Sequence, residues 1–366
     1  MDGKQVLNEL TPYKPGKQIE EVKKAYGLTR IVKLASNENP FGYSSSVKQF
    51  LKELDPSLEI YPDGYTTELR EAMAEKLNIK ETQLIFGSGS DEIVQMIGRA
   101  FLYPGVNTVM ATPTFPQYKH NALVEGAEIR EVSTVNGYHD LKAMLGAIDE
   151  QTKVVWLCSP NNPTGSLIPR EDFYSFMKKC PKHVLVVLDE AYYEYVENGK
   201  DPNILKSFTC YENLIVLRTF SKAYGLAGLR VGYGFANENI ISKLDVVRGP
   251  FNTSSIAQKA AVKSLYDDDF ISQSVDRNKA IKADFQEFLD SIGWHYYESE
   301  TNFLLVSTPV SGTEVFQHLL ENGFIVRPGE LLGIPRTVRI TLGNENDMEQ
   351  IKEILHQFHV KVSREK

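Results

Sequence analysis

The chain has 366 residues, of which 42% are hydrophobic and 24% charged, and it carries a formal net charge of -8. This composition is typical of a folded globular protein and excludes collagen-like repeats and long disordered tracts. One hydrophobic core rarely serves more than ~250 to 300 residues, so the length predicts two domains. The acidic balance argues against nucleic acid and anionic membranes as partners, because both need a concentrated basic face.

Neither the N-terminus nor the interior resembles a membrane-directed segment. The first residues lack the apolar core of a signal peptide, and the longest apolar run, Val184–Leu188, is far shorter than the ~18 residues of a membrane span. The three cysteines, Cys158, Cys180 and Cys210, form no Cys-x-x-Cys pair and no Cys/His metal spacing. We therefore expect a cytoplasmic protein with reduced thiols and no metal site.

The order of elements along the chain predicts an α/β domain. Residues 1–40 show little periodicity and are expected to form an N-terminal arm. Helical periodicity follows at Thr66–Leu77 and Asp91–Leu102. Apolar runs then alternate with helices, which predicts a mostly parallel seven-stranded sheet with helices on both faces. The expected strands are Leu84–Phe86, Thr108–Ala111, Ile129–Val132, Val154–Leu157, Val184–Leu188, Ile215–Leu217 and Leu229–Gly234.

A second pattern begins after about Phe251. It consists of long helices at Ser255–Tyr266 and Phe270–Ile292, short strands at Phe303–Ser307 and Val338–Leu342, and a closing helix at Asn346–Phe358. This change predicts a smaller α+β domain at residues 251–366, joined by the N-terminal arm, beside a large α/β domain at residues 41–250.

Lys222 is the first candidate for chemistry, because it follows the expected strand Ile215–Leu217. Ligands of open α/β sheets bind at the carboxyl ends of the strands. There a desolvated lysine can condense with an aldehyde. Thr219, Ser221 and Arg230 add hydroxyl donors and a fixed positive charge suited to a phosphate. The pattern alone also fits a solvated surface lysine.

Asp189 comes directly after the strongly apolar run Val184–Leu188, at the end of the expected strand, and Tyr192 follows three residues later. A buried carboxylate needs a cationic partner. The alternative is that Asp189 caps the next helix. The turn Ser159–Gly165 contains Asn162 between two prolines at the end of another strand, and by pattern alone it could be a simple connector.

The segment Phe86–Glu92 connects a strand to a helix through Gly87 and Gly89. Such a turn presents backbone N–H groups and the helix dipole to a phosphate. Glu92 occupies the position of the third glycine in G-x-G-x-x-G, so a monophosphate fits better than a dinucleotide.

Taken together, these segments resemble the fold-type I pyridoxal-phosphate aminotransferases over nearly the whole chain. The resemblance is strongest to the histidinol-phosphate aminotransferase group. The segments that carry it, besides the four above, are Leu10–Tyr13, Leu34–Gly42, Tyr61–Gly64, Val326–Gly329 and Val338–Ile340.

The resemblance implies pyridoxal 5'-phosphate as cofactor, with Lys222 as the Schiff-base lysine and general base. Asp189 would hold the proton on the pyridine nitrogen, and Tyr192 with Asn162 would bind the phenolate oxygen. Phe115 would stack on the ring. The phosphate would be bound by Ser90, Asp91 through its backbone N–H, Thr219, Ser221, Arg230 and, from the neighbouring subunit of a homodimer, Tyr61.

For the substrates, the resemblance implies transamination between L-histidinol phosphate and 2-oxoglutarate in L-histidine biosynthesis, with imidazole-acetol phosphate and L-glutamate as products. The implied substrate-binding residues are Tyr13, Asn37, Asn302, Arg327 and Arg339. An aromatic-amino-acid aminotransferase, or an enzyme with both activities, is the main alternative, because Arg339 can bind a carboxylate as readily as a phosphate. A phosphate-specific decarboxylase and a non-catalytic regulator with the same fold are further alternatives.

Overall fold

The computed structural model describes residues 3–8, 10, 19–55 and 57–364. The helices are α1 (Ile19–Tyr26), α2 (Ser45–Glu53), α3 (Thr67–Leu77), α4 (Ser90–Phe101), α5 (Pro116–Glu125), α6 (Leu141–Gly146), α7 (Arg170–Lys179), α8 (Glu238–Val247), α9 (Ser255–Leu265), α10 (Asp268–Ser291), α11 (Gly312–Glu321) and α12 (Glu345–Arg364). The strands are β1 (Val32–Lys33), β2 (Leu84–Gly87), β3 (Asn107–Thr112), β4 (Glu128–Ser133), β5 (Thr152–Cys158), β6 (Leu185–Asp189), β7 (Leu214–Thr219), β8 (Gly232–Ala236), β9 (Phe303–Ser307), β10 (Phe324–Ile325), β11 (Arg327–Pro328) and β12 (Thr337–Thr341).

The large sheet has the strand order β2-β8-β7-β6-β5-β3-β4 in the described part of the chain. All neighbours are parallel except β8, which is antiparallel to both β2 and β7. Strand β6 shows why the sheet is covered on both faces, since all its residues are buried. Val186 and Leu188 pack in one core and Leu185 and Val187 in another, as the two-residue period of a strand requires. The predicted mostly parallel sheet is confirmed.

The register of the sheet places three chemical segments at one edge. Cys158, the last residue of β5, pairs with Asp189, and Asp189 pairs with Leu217 of β7. Because these strands are parallel, their carboxyl ends meet, and the loops that follow open on the same side. Asp189 ends β6, and the segments after β5 and β7 carry Asn162 and Lys222.

A second, antiparallel sheet has the order β11-β12-β9. Residues of this sheet pack with α10, α11 and α12 in a core that also contains Leu34. Strand β1 pairs in parallel with β10. Helix α9 lies on the C-terminal side of residue 250, yet its Ala257 packs in the same core as Leu69 of α3. The division into domains stays a prediction, and this packing associates α9 with the large one.

Two details differ from the predicted elements. The expected strand Leu229–Gly234 begins only at Gly232, because Arg230 adopts the left-handed conformation with φ 54°. Its apolar neighbours Leu229 and Val231 gave a strand-like pattern without strand geometry. Within the expected arm, α1 forms and buries Val22 beside Leu320, so tertiary packing supports a helix that its weak periodicity did not indicate. No described helix is long and apolar enough to cross a membrane.

Candidate active site

A cleft of about 500 Å³ opens at the carboxyl edge of β5, β6 and β7. Among the predicted site residues, those that line it are Asn37, Ser90, Asp91, Phe115, Asn162, Asp189, Tyr192, Thr219, Ser221, Lys222, Arg230, Arg327 and Arg339. Asn302 is buried behind the wall and donates to the backbone oxygen of Asn37 at 3.0 Å. Tyr61 lies outside the cleft, 79% exposed, and Tyr13 lies outside the described residues.

Lys222 follows β7 and reaches into the cleft, where its Nζ donates to the backbone oxygen of Ser36 at 3.1 Å. Burial and, after it, the nearby Arg339 guanidinium lower the pKa of Lys222 to about 8, although Asp91 and Glu38 act in the opposite direction. A neutral amine is therefore accessible near physiological pH, which nucleophilic attack on an aldehyde requires.

Asp189 is 4% exposed and accepts a 2.6 Å hydrogen bond from the Tyr118 hydroxyl at Oδ2. Its Oδ1 accepts from the backbone N–H of Ala191 at 3.2 Å, so the carboxylate closes a turn and does not cap an α-helix. Burial raises the pKa of Asp189 to about 6, although the hydrogen bond from Tyr118 opposes part of that rise. Such a carboxylate is suited to a cationic partner within the cleft.

Tyr118 was missed by the sequence reasoning. It lies on α5, and its ring stacks on Trp156 at 4.7 Å between centroids. The ring of Phe115 meets that of Tyr118 edge-on at 5.5 Å. The spacing of three residues, which places side chains on the same side of a helix, is the sequence signal that could have indicated Tyr118.

The glycine loop and Arg230 form a concave group of donors. Arg230 donates from Nη1 to the Ser221 hydroxyl at 3.2 Å, and its Nη2 lies 3.8 Å from the Asp91 carboxylate. A Cβ at Gly89 would overlap the Arg230 guanidinium, so only glycine permits this close approach. Helix α4 begins at Ser90 without a side-chain cap. The first N–H groups of α4 and the guanidinium of Arg230, with the hydroxyls of Ser90, Thr219 and Ser221, together fit one phosphate group.

Arg339 connects the second sheet to the loop after β5. Its Nη1 donates to Oδ1 of Asn162 at 2.5 Å, and its Nη2 donates to the backbone oxygen of Ala35 at 2.6 Å. Because the Asn162 amide oxygen accepts from Arg339, the amide N–H₂ is the Asn162 group that can donate into the cleft. Arg327 on β11 pairs directly with Arg339 on β12. Directly paired residues share a face, so both arginine side chains project from the same face, and both line the cleft.

Comparison with known proteins identifies the family. The model of the class I and II aminotransferases matches residues 29–358. The chain belongs to this family. A histidinol-phosphate aminotransferase of Oceanobacillus iheyensis is 58% identical over 98% of this chain and 99% of its own length. That of Bacillus subtilis is 52% identical over 97% and 99%. These relatives place the aminotransferase in the histidinol-phosphate aminotransferase group.

Solved structures agree with the fold of the aminotransferase. Histidinol-phosphate aminotransferase from Sinorhizobium meliloti, in complex with pyridoxal 5'-phosphate, superposes with a TM-score of 0.90, at 26% identity over 98% of each chain. Aspartate aminotransferase from Thermus thermophilus gives 0.82 at 22% identity, over 98% of this chain and all of its own. The aminotransferase is therefore a fold-type I enzyme that uses pyridoxal phosphate. The lysine, the buried carboxylate and the phosphate-sized group of donors fit that cofactor.

Proposed function

We propose that this aminotransferase moves an amino group between L-histidinol phosphate and 2-oxoglutarate, a step of L-histidine biosynthesis. The observation that carries the proposal is the pair Arg327 and Arg339, which lie opposite each other on neighbouring strands and line the cleft of Lys222. Two guanidinium groups on one face match the charge and the several acceptor oxygens of a phosphate monoester. The names of the relatives support the same substrate.

The cofactor-binding roles follow from the donor set. Ser90, Thr219, Ser221 and Arg230, with the backbone N–H of Asp91, would hold the cofactor phosphate. Asp189, kept in place by the Tyr118 hydroxyl, would accept a hydrogen bond from the pyridine nitrogen and keep its proton there. Tyr192 and the amide N–H₂ of Asn162 would donate to the phenolate oxygen, and Phe115 would cover one face of the ring.

When bound, pyridoxal phosphate supplies an aldehyde that takes up the amino group and a ring that withdraws electrons from the substrate carbon. With the cofactor bound, Lys222 Nζ would act as the general base that takes the proton from the substrate carbon, and then as the acid that gives it up. A pKa of about 8 leaves part of the amine neutral at physiological pH for this transfer. L-Glutamate would give up its amino group and leave as 2-oxoglutarate in the first half of the cycle, and imidazole-acetol phosphate would receive that group in the second.

We also propose a homodimer in which Tyr61 reaches the cofactor phosphate of the partner subunit. The support is an apolar surface formed by Leu58, Ile60, Tyr61 and Phe251, with exposed fractions of 76%, 65%, 79% and 45%. It borders a second cavity that also reaches Arg230. Monomers rarely expose such clusters. Sedimentation should show a dimer, and a monomer that retains full activity would refute this proposal.

A cytoplasmic location fits the free cysteines Cys158, Cys180 and Cys210.

The aromatic-amino-acid alternative is favoured by one observation, the apolar side chains of Leu331 and Leu332 in the cleft wall. They could pack against a phenyl ring as well as an imidazole.

The deciding experiment follows the visible absorbance of the loaded enzyme after separate additions of L-glutamate, L-histidinol phosphate and L-phenylalanine. The proposal expects rapid loss of the visible band with the first two and a slow response to phenylalanine. An equal response to phenylalanine would favour the aromatic or dual enzyme. No response to histidinol phosphate would refute the proposed substrate.

A further inference from the structure

Thr341 ends strand β12 and is 2% exposed, behind the wall of the cleft. Its backbone N–H donates to the backbone oxygen of Leu34 at 2.9 Å. Its hydroxyl makes two 3.0 Å hydrogen bonds to one residue, Asn37: it accepts from the backbone N–H and donates to Oδ1 of the side chain. Asn37 Nδ2 in turn donates to the Tyr192 hydroxyl at 2.8 Å.

We propose that Thr341 is a positioning residue, which orients the Asn37 amide so that the Tyr192 hydroxyl directs its hydrogen into the cleft. The inference rests on the proposed function, in which Tyr192 donates to the phenolate oxygen of the cofactor. Thr341 itself does not line the cleft, and its effect passes through the side chain of Asn37.

The donor and acceptor roles in this series of hydrogen bonds follow from one group that can only donate. The backbone N–H of Asn37 donates to Thr341 Oγ1, which leaves the hydroxyl hydrogen for Oδ1 of the Asn37 side chain. With Oδ1 accepting there, Nδ2 points at Tyr192 and must donate. The Tyr192 oxygen therefore accepts, and its own hydrogen is directed away from Asn37, toward the cleft.

Asn37 is held rigidly enough for this role. It is 1% exposed and adopts the left-handed conformation, with φ 58°, which is uncommon for a residue other than glycine. Asn302 donates to its backbone oxygen at 3.0 Å. Burial raises the pKa of Tyr192 well above its ordinary value, so its hydroxyl keeps the hydrogen that it has to donate.

The test measures the pH midpoint of the visible absorbance of the loaded enzyme. A donor to the phenolate oxygen stabilises its charged form and lowers the midpoint, so loss of the donor raises it. Thr341→Val should raise the midpoint by about one pH unit, equivalent to ~1.4 kcal/mol. Thr341→Ser, which keeps the hydroxyl, should leave the midpoint at the parent value. The charged and titratable groups near Tyr192, unchanged in these variants, are Lys222, Arg339, Asp189, Cys158 and Tyr195.

Thr337→Val is the matched control, because Thr337 lies on the same strand, is 3% exposed and donates instead to the backbone oxygen of Ile334. It should leave the midpoint unchanged. If the Thr341→Val protein does not fold, Thr341→Ala removes the same hydroxyl and should give the same shift. Tyr192→Phe sets the upper limit, and Thr341→Val should add nothing in that background.

The outcomes separate the inference from the proposed function. If Tyr192→Phe raises the midpoint and the Thr341 variants do not, the role of Thr341 is overturned and that of Tyr192 stands. If Tyr192→Phe itself leaves the midpoint unchanged, the proposed role of Tyr192 fails and the inference fails with it. A raised midpoint in both Tyr192→Phe and Thr341→Val, with the parent value in Thr341→Ser, supports the series of hydrogen bonds from Thr341 through Asn37 to Tyr192.

Discussion

Replacing Asp189 with asparagine should stabilise the folded protein when the cofactor is absent and destabilise it when the cofactor is bound. In the folded chain, burial raises the pKa of Asp189 from its ordinary 3.8 to about 6. The folded state therefore binds a proton more tightly than the unfolded state, and stability falls as pH rises between these two values. A difference of about two pKa units corresponds to ~3 kcal/mol. Above about pH 6, the ionised Asp189 carboxylate therefore lowers the stability of the cofactor-free enzyme by about this amount.

The assay is urea unfolding of parent and Asp189→Asn, with and without pyridoxal phosphate, between pH 4 and 8. Without cofactor, the variant should be more stable by up to ~3 kcal/mol at pH 7, and the gain should vanish toward pH 4. With cofactor the order should reverse, because only the carboxylate gains a cationic partner. Asp276→Asn, at an exposed position of α10, should change neither curve. An empty variant that is less stable than the parent at pH 7 would refute the reasoning.

Further substitutions test other parts of the molecule. Lys222→Ala should abolish both covalent retention of the cofactor, seen as its visible absorbance, and turnover; normal turnover would contradict the assignment. Arg218 donates from Nε to the buried carboxylate of Glu190 at 2.8 Å. Arg218→Met should lower the free energy of unfolding in urea by ~3 to 5 kcal/mol, because it leaves a buried charge without its partner. Adding Glu190→Gln should recover much of that loss, and a fully stable Arg218→Met protein would show that the pair is dispensable. Arg327→Gln should raise KM for L-histidinol phosphate ~10-fold or more and change KM for L-glutamate little. Arg339→Gln should raise both, because Arg339 can bind the carboxylate of glutamate as readily as a phosphate. Equal effects of the two variants on both substrates would contradict this difference between the two arginines.

Much of the cleft could be predicted because its segments are local in sequence. Asp189 ends one short apolar strand, and Lys222 comes shortly after the end of another. In a parallel sheet, strand ends meet whatever the details of packing, so the pattern of strands was enough to bring these residues together. Arg230 was also found from sequence, although the strand expected around it begins two residues later.

Other parts of the site depend on contacts between distant segments. Tyr118 reaches Asp189 across 71 positions of sequence, and Thr341 reaches Asn37 across 304. The spacing from Phe115 could indicate Tyr118 but not its partner Asp189, and no pattern indicates that Thr341 binds Asn37. A hydrogen bond between side chains needs only that the fold brings the two atoms together. The packing of α9 with the large core, despite its position after residue 250, has the same origin.

By itself, the sequence determined the alternation of strands and helices, the parallel sheet and the motifs at its edge, because local periodicity and strand order depend on near neighbours. Only the tertiary structure decided which donors hold those motifs in place. It set Tyr118 against Asp189, placed Arg327 beside Arg339, and directed the bonds from Thr341 toward Tyr192. Each contact joins side chains on separate elements, and its geometry is fixed only when those elements pair or pack together.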